Sequence, residues 1–244
     1  MADFQTTLTK IKTRGYWQID LHPTQVQQNV IESVGKAKEI IQTSGVHFRG
    51  WDYPHFPTQT RDHQDLYVGE NESIEGWIDW EQFKEVWRFY TNGQFIHLFG
   101  LREDWWEEHS WLNEDDPLRK IKPGEVLEVI STVYSLTEIY AFFSNLIQNL
   151  PEVEEVAVEI SLIGTKNRKL HISDFRRAPL FMEYACRLDK VNLPKKVYKR
   201  EDLITNYVDL AFDQIIYLFN RFNWDNPNIP VIKEDQKKLI ERRI

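Results

Sequence analysis

The chain has 244 residues, of which 41% are hydrophobic and 14% aromatic, and its formal net charge is −8. This is enough apolar material for a large folded core, and only ten Gly and ten Pro argue against long disordered stretches. The single cysteine, Cys186, excludes an internal disulfide, so the fold needs no oxidising compartment. The N-terminus has no secretory pattern and no segment resembles a membrane span, so we expect a cytoplasmic protein.

The first part of the sequence predicts a strand, a helix and a second strand. Residues 15–21 alternate between apolar and polar side chains, which is typical of a strand. Thr24 and Gln27 have the spacing of a capping box, so we expect a helix from here to Gly45. The β-prone residues 46–49 predict the next strand.

A hairpin is the clearest local prediction. Asn92-Gly93 separates two β-prone runs, residues 86–91 and 94–99, and a two-residue turn of this type needs positive φ at both central positions. The resulting register places Arg88 opposite His97. Residues 74–80 also alternate and predict a neighbouring strand.

The second half predicts two long helices around another strand. Residues 123–149 are apolar on nearly all sides, which is typical of a central helix. Residues 156–163 predict a strand, with which residues 169–172 are expected to pair. Residues 201–222 predict a third helix, followed by a short charged helix.

We therefore predict an α+β fold, in which a mixed or antiparallel sheet with an Asn-Gly hairpin packs against two or three long helices. A single domain over residues 1–244 is the simplest organisation. The alternative is two sub-lobes, residues 1–122 and 123–244, divided in the acidic stretch.

Sequence motifs for catalysis are missing. There is no phosphate-binding or dinucleotide-binding Gly-rich loop, no zinc-binding helix and no nucleophile turn. Cys186 lies in an apolar stretch and is expected to pack in a buried helix. We expect no cofactor and no metal, although His47, His55 and His63, with nearby Asp residues, leave a metal site as a minor alternative.

The densest group of functional side chains is the segment 47–57, where polar residues alternate with aromatic ones. Arg49 can hold a carboxylate or phosphate through two parallel hydrogen bonds. Asp52 and His55 can act as an acid–base pair if they meet. The structural alternatives are an Arg49–Asp52 ion pair in a loop that covers the core, and an Arg88–His97 pair on a sheet face. The predicted ligand-binding residues are Arg49, Trp51, Asp52, His55, Arg88 and His97.

Charge is distributed unevenly along the chain. Residues 70–128 carry a net charge of −9, and residues 164–200 carry +8. Either the two regions lie close together and neutralise each other, or the basic region forms a surface for nucleic acid. The acidic, aromatic residues 103–109 are expected to form an exposed loop anchored by Trp side chains. The predicted nucleic-acid-binding residues are Lys166, Arg168, Lys169, Arg176, Arg177, Lys195, Lys196, Lys199 and Arg200.

Four short strings carry a family resemblance. They are Gly15-Tyr16-Trp17, Arg49-Gly50-Trp51-Asp52-Tyr53-Pro54-His55, Trp87-Arg88-Phe89-Tyr90 with Gly93-Gln94-Phe95-Ile96-His97, and Thr137-Glu138. Together they resemble a poorly characterised bacterial region found with Schlafen-like (AlbA-type) DNA-binding domains, over roughly Tyr16 to Arg177. No Schlafen-like domain stands before Tyr16 in this sequence, so we do not expect nucleic-acid binding to follow from the resemblance. It implies an accessory or sensing module in a bacterial regulatory or antiviral defence system, and it implies no catalytic residues.

Three functions follow as hypotheses. The first is a non-enzymatic binding or sensor module whose partner is a protein or a small anionic ligand. The second is a hydrolase or nuclease of unfamiliar type with Asp52 and His55 as acid–base residues. The third is nucleic-acid binding through the basic region. The sequence makes no prediction about the oligomeric state.

Overall fold

The computed structural model describes residues 3–25, 30–56, 67–69 and 71–244. The helices are α1 (Phe4–Ile11), α2 (Val34–Ser44), α3 (Val129–Gln148), α4 (Arg200–Arg221) and α5 (Ile229–Ile240). The strands are β1 (Tyr16–Pro23), β2 (Tyr67–Gly69), β3 (Ser73–Trp80), β4 (Phe83–Tyr90), β5 (Phe95–Gly100), β6 (Val126–Glu128), β7 (Glu155–Ile163), β8 (Lys169–His171), β9 (Lys190–Asn192) and β10 (Lys196–Lys199). Two 3-10 segments, Arg102–Glu108 and Pro117–Lys120, follow β5.

The main sheet is antiparallel, with the strand order β10-β7-β1-β5-β4-β3-β2 and with β9 also paired to β7. Since β1 lies between β5 and β7, strands from the first and the second half of the chain share this sheet. Strands β6 and β8 form a separate parallel pair. The predicted α+β fold, with a hairpin-containing sheet packed against long helices, is confirmed.

Helix α3 is the centre of the core, as its nearly continuous apolar surface predicts. It packs on one face of the sheet, where the rings of Phe142 and Phe95 lie 4.7 Å apart. Helix α4 packs along α3 and also contacts β10. On the opposite face of the sheet, Phe4 of α1 meets Trp77 edge-on. The sheet is therefore covered on both faces in the region of β3 to β5.

The hairpin between β4 and β5 turns through three residues instead of two. The amide of Tyr90 donates to the carbonyl of Gln94, and Gly93 has φ +85°. The side chain of Asn92 accepts a hydrogen bond from the amide of Gln94 at 2.9 Å. A three-residue loop with its last residue in the left-handed region is the next common hairpin connection, and here it needs positive φ only at Gly93.

This extra loop residue changes the pairing of the two strands. Arg88 pairs with Ile96, and Trp87 pairs with His97. Because side chains alternate along a strand, a shift of one residue places Arg88 and His97 on opposite faces. The prediction that Arg88 and His97 are cross-strand neighbours is therefore wrong.

Helix α2 begins later than predicted. The side chain of Ser33 accepts a hydrogen bond from the amide of Lys36 and caps the helix, so residues 30–33 precede it. Gln27, the second residue of the predicted capping box, lies outside the described residues. The predicted strand at residues 46–49 is reduced to a single bridge between Val46 and Tyr53.

Two predictions in the second half also need correction. Strand β8 pairs with β6 and not with β7, because β1 occupies one edge of β7 and the short strands β9 and β10 occupy the other. Cys186 is buried, as predicted, but it lies in an extended segment and not in a helix. Within the described part of the chain, no helix has the length and apolar character needed to cross a membrane.

Candidate functional site

The loop after α2 is fixed to the central helix through Arg49. Its Nε donates to Glu138 Oε1 at 2.8 Å, and its Nη2 donates to Glu138 Oε2 at 2.6 Å. The Glu138 side chain is only 2% exposed, so this bidentate pair is largely shielded from water. The expected structural ion pair between Arg49 and Asp52 is therefore wrong, and the guanidinium fork of Arg49 is already occupied.

Asp52 and His55 do not form the predicted acid–base pair. Asp52 Oδ1 lies 2.6 Å from His47 Nδ1. The ring of His55 stacks on Trp51 with its centroid 3.8 Å away, and its buried Nδ1 has no hydrogen-bond partner among the described residues. Burial lowers the pKa of His55 despite the nearby charges of Glu85 and Asp52.

His97 belongs to a buried polar cluster beneath the same loop. Its Nδ1 lies 2.9 Å from Tyr53 Oη, and its Nε2 lies 3.0 Å from Glu85 Oε1, an ionic contact outside hydrogen-bond geometry. Glu85 also accepts a hydrogen bond from the amide of His55 at 2.8 Å. Burial by itself would raise the pKa of Glu85, but His97 and His55 together hold it below its ordinary value. These contacts join Tyr53 and His55 of the loop to Glu85 and His97 of the hairpin inside the core. His97 therefore has no access to solvent.

Arg88 is separated from this group. It lies on the opposite face of the sheet, where it forms an ion pair with Glu75 and where its guanidinium lies 4.8 Å from the ring centroid of Phe4. The six predicted ligand-binding residues therefore do not form one continuous surface.

A small cleft opens where the loop, the start of β4, the end of β5 and α3 meet. Its volume is about 30 Å³. We call it the arginine cleft and define it by six of its lining residues: Arg49, Trp51, Gln82, Phe83, Arg102 and Ser135.

Arg102 is a cation of this cleft that has no ionic partner among the described residues. It is half-buried, and its guanidinium lies 4.6 Å from the ring centroid of Phe83. Over the ranges that the structure describes, its side chain forms neither a hydrogen bond nor an ion pair. Burial, and secondly the charge of Arg49, lower the pKa of Arg102 to about 9. The cleft therefore holds a positive charge that no neighbouring group neutralises by direct contact.

The carboxylates nearest this cation have other partners. Glu138 is bound to Arg49, and Glu85 contacts His97 and the amide of His55. Gln82 is 8% exposed, and its buried Oε1 has no hydrogen-bond partner among the residues described. The cleft is thus lined by one cation and by one residue with a buried acceptor that have no hydrogen-bond or ionic partner among the described residues.

Stacked aromatic rings hold these groups in place. Trp51 lies between His55 and Phe83, with both centroids 3.8 Å from its own. The ring of Trp80 is parallel to Trp51 within 13°, and it is 51% exposed. Because stacked rings have few rotatable bonds, this arrangement fixes the wall of the cleft before any ligand binds.

One of the predicted nucleic-acid contacts, Arg168, does not reach the surface. Arg168 is 1% exposed and donates to Asp104 through both terminal nitrogens, one of them at 2.7 Å. Asp104 also accepts hydrogen bonds from the amides of Gly15 and Gly124, both at 2.8 Å. The prediction of Arg168 as a nucleic-acid contact is wrong because it is the buried partner of an acid.

The prediction of an exposed acidic loop at residues 103–109 is only partly correct. Glu103 and Asp104 are buried, and so are the anchoring rings of Trp105 and Trp106. Glu107 and Glu108 are exposed, and His109 is half-buried. Only the outer half of the segment therefore agrees with the prediction.

Most of the other predicted nucleic-acid contacts are engaged with protein groups. Arg200 donates to the carbonyls at the end of α3, among them Leu150 at 2.7 Å, while Lys166 and Lys199 are exposed. The remaining bases form ion pairs: Arg177 with Asp235, Arg176 with Asp174, Lys169 with Glu183, Lys195 with Glu159 and Lys196 with Asp213.

Metal ligands do not cluster in the described part of the molecule. No group of three or more His, Cys, Asp or Glu side chains is arranged to hold an ion there. His63 of the minor metal hypothesis lies outside the described residues.

The fold and the cleft define an α+β protein in which an arginine without an ionic partner in the described part of the chain lines a small cleft beside stacked aromatic rings. Comparison with known proteins gave no matching family model, no matching curated protein and no matching solved structure. The Schlafen-associated resemblance stays a prediction from the sequence.

Proposed function

We propose that this chain is a non-enzymatic binding or sensor module that holds a small anionic ligand in the arginine cleft. The observation that carries the proposal is the half-buried guanidinium of Arg102, which has no anionic partner among the described residues. A charge that is removed from water without a partner is costly, and a bound anion removes that cost. Arginine also offers a planar pair of donors that fits a carboxylate or phosphate.

The surroundings of Arg102 support anion binding. The Arg49–Glu138 pair is neutral as a unit and places a second guanidinium at the cleft. The nearby carboxylates are occupied, so they compete little for Arg102. The rigid stack of Trp51 and Phe83 keeps the cleft open without a conformational change.

Binding is favoured over catalysis by the positions of Asp52 and His55. An acid–base pair needs hydrogen-bond contact between its members or through the substrate. Asp52 is bound to His47, and His55 is stacked on Trp51. The sensor or accessory role in a bacterial regulatory or defence system rests on the sequence resemblance alone, and the cytoplasmic location rests on the composition of the sequence.

Thermal unfolding in different anions tests this proposal. In sodium acetate, compared with sodium chloride at equal ionic strength, we expect the melting temperature of the wild type to rise with ligand concentration toward saturation of the site. Arg102→Gln should abolish this rise, and Lys199→Gln, which removes an exposed charge elsewhere, should retain it. Equal responses of the wild type and Arg102→Gln would contradict the proposed site.

A further inference from the structure

A wide groove runs between α3, α5 and the residues that follow β8. Its volume is about 1590 Å³, and its apolar lining includes Ile130 of α3, Val231 of α5 and Ile172 after β8. Pockets for small molecules usually measure about 300–1000 Å³, so this groove is better suited to a segment of protein. We propose that a second copy of this chain occupies it, in a two-fold dimer in which residues 174–183 of each copy lie in the groove of the other.

Residues 174–183 present large apolar side chains to solvent. Phe175, which lines the groove, is 95% exposed, Phe181 is 100% exposed and Met182 is 68% exposed. Phe181 follows four residues after Arg177, another lining residue, so its backbone lies within about 14 Å of that wall. Exposed apolar patches mark interaction surfaces, and aromatic residues and Met are enriched in protein interfaces. The single chain thus exposes the groups that a dimer would bury.

The residues on both sides of Phe181 are attached to the body of the molecule. Leu180 and Tyr184 pack against the hydrophobic core. The ring of Tyr184 also stacks on Trp224 with the centroids 5.5 Å apart, and its carbonyl accepts a hydrogen bond from the amide of Leu170 at 2.8 Å. Because the chain is held at both ends of this short stretch, Phe181 loses little conformational entropy when it binds a partner.

The local charge of the two surfaces permits self-association. The whole chain carries a net charge of −8, so two copies repel each other over most of their surfaces. The groove, however, is lined by five basic and five acidic side chains. Several of them already pair, such as Arg177 with Asp235 and Arg176 with Asp174. Residues 174–183 contain two acids and two bases, so an occupant with zero net charge meets a groove with zero net charge.

The exposed rings supply enough area for a stable dimer. A large aromatic side chain buries about 150–250 Å², so Phe175 and Phe181 of two copies together bury roughly 600–1000 Å². They cover a similar area of the facing grooves, which brings the total to roughly 1200–2000 Å², the size of a standard specific interface. A two-fold axis repeats the same contact in both directions and closes the assembly at two copies.

Sedimentation velocity over a concentration series tests this inference. At about 20 µM, above the micromolar limit expected for an interface of this size, the wild type should sediment with twice the monomer mass. Phe181→Ser should raise the dimer Kd about 100-fold, since each of two equivalent contacts loses about tenfold with a central aromatic side chain. Val231→Asp should also separate the dimer, because it places a charge on the groove wall. Val197→Ser removes an exposed apolar side chain of β10 and should leave the dimer intact.

A mixture of the two variants distinguishes this arrangement from other dimers and from misfolding. The Phe181→Ser chain keeps an intact groove, and the Val231→Asp chain keeps an intact Phe181, so the mixed dimer has one complete contact. The mixture should therefore associate more tightly than either variant alone, which two misfolded chains cannot do. A wild-type monomer at this concentration, an assembly larger than a dimer, an unchanged Kd in Phe181→Ser, or a mixture no tighter than its components would each overturn the inference.

Discussion

At the residue scale, Arg168 and Asp104 connect distant parts of the chain through one buried ion pair. Each side chain is 1% exposed. Removal of one partner leaves an uncompensated buried charge, which costs about 3–5 kcal/mol. We therefore expect Arg168→Met to lower the free energy of unfolding by this amount in urea titrations.

The matched control for this variant is Lys166→Met, which removes an exposed base two residues away. Its effect should stay within about 0.5 kcal/mol. Similar small losses in both variants would show that the Arg168–Asp104 pair is not buried in solution.

The neighbouring Glu103 is expected to make stability depend on pH. Burial raises its pKa from 4.5 to about 7, against a hydrogen bond from the Glu128 amide and the charge of Arg168. The folded state therefore binds more protons than the unfolded state between these two values, so stability falls as pH rises from 4.5 to 7.

Glu103→Gln should remove this dependence while it keeps a side-chain acceptor for the Glu128 amide. Relative to the variant, the wild type should lose on the order of 3 kcal/mol across this range. Urea unfolding at several pH values measures the difference, with Glu107→Gln as the exposed control. A constant difference between wild type and Glu103→Gln would refute the raised pKa.

The sequence identified residues that lie near the site more successfully than the side chains that these residues contact. Arg49 was expected to hold a ligand anion or to pair with Asp52, but its partner is Glu138, which lies 89 positions away and has no local pattern to indicate it. Arg102 was missed because a single base inside an acidic stretch resembles an ordinary surface residue. Its environment arises only when α3 and β4 meet in the folded chain.

At the element scale, the hairpin loop depends on one glycine. Gly93 has φ +85°, and an added Cβ would lie 3.1 Å from Pro23 Cγ. We expect Gly93→Ala to lower the free energy of unfolding by roughly 1–2 kcal/mol, because the left-handed region is unfavourable for residues with a side chain.

Gly50→Ala is the control, since Gly50 is exposed and an added Cβ would meet no atom within 4 Å. Chemical denaturation of both variants compares the two sites. A stability of Gly93→Ala equal to that of Gly50→Ala would contradict the three-residue loop.

Helices and strands were predictable where the hydrophobic periodicity continues over many residues. The ends of these elements and the pairing of the strands were not. Alternation correctly predicted β1, β3 and β7, and the apolar surface of α3 correctly predicted its central position. The predicted hairpin register was wrong because an Asn-Gly pair occurs in both two-residue and three-residue loops. The predicted start of α2 was wrong because Ser33 and Thr24 are both good helix caps, and tertiary packing selects between them.

At the scale of the whole molecule, β1 joins the two halves of the chain and brings their opposite charges together. It pairs with β5 from the acidic stretch and with β7, which precedes the basic one. Arg168 then meets Asp104 of the acidic stretch in the interior, whereas later bases pair with acids outside that stretch, such as Asp235 and Glu159. Folding therefore joins the two oppositely charged regions through one buried ion pair. Arg102 differs from these paired bases, since it ends in a cleft whose acids are already occupied.

The most direct test of the anion-binding account is an NMR titration of the ¹⁵N-labelled protein with sodium acetate at constant ionic strength. The Nε–Hε signal of Arg102 is identified as the one missing from the spectrum of Arg102→Gln. We predict a saturable shift of this signal, with the same midpoint as the shift of the Trp51 indole signal, because both groups line the arginine cleft. An Arg102 signal that stays unchanged at acetate concentrations that raise the melting temperature would contradict the account.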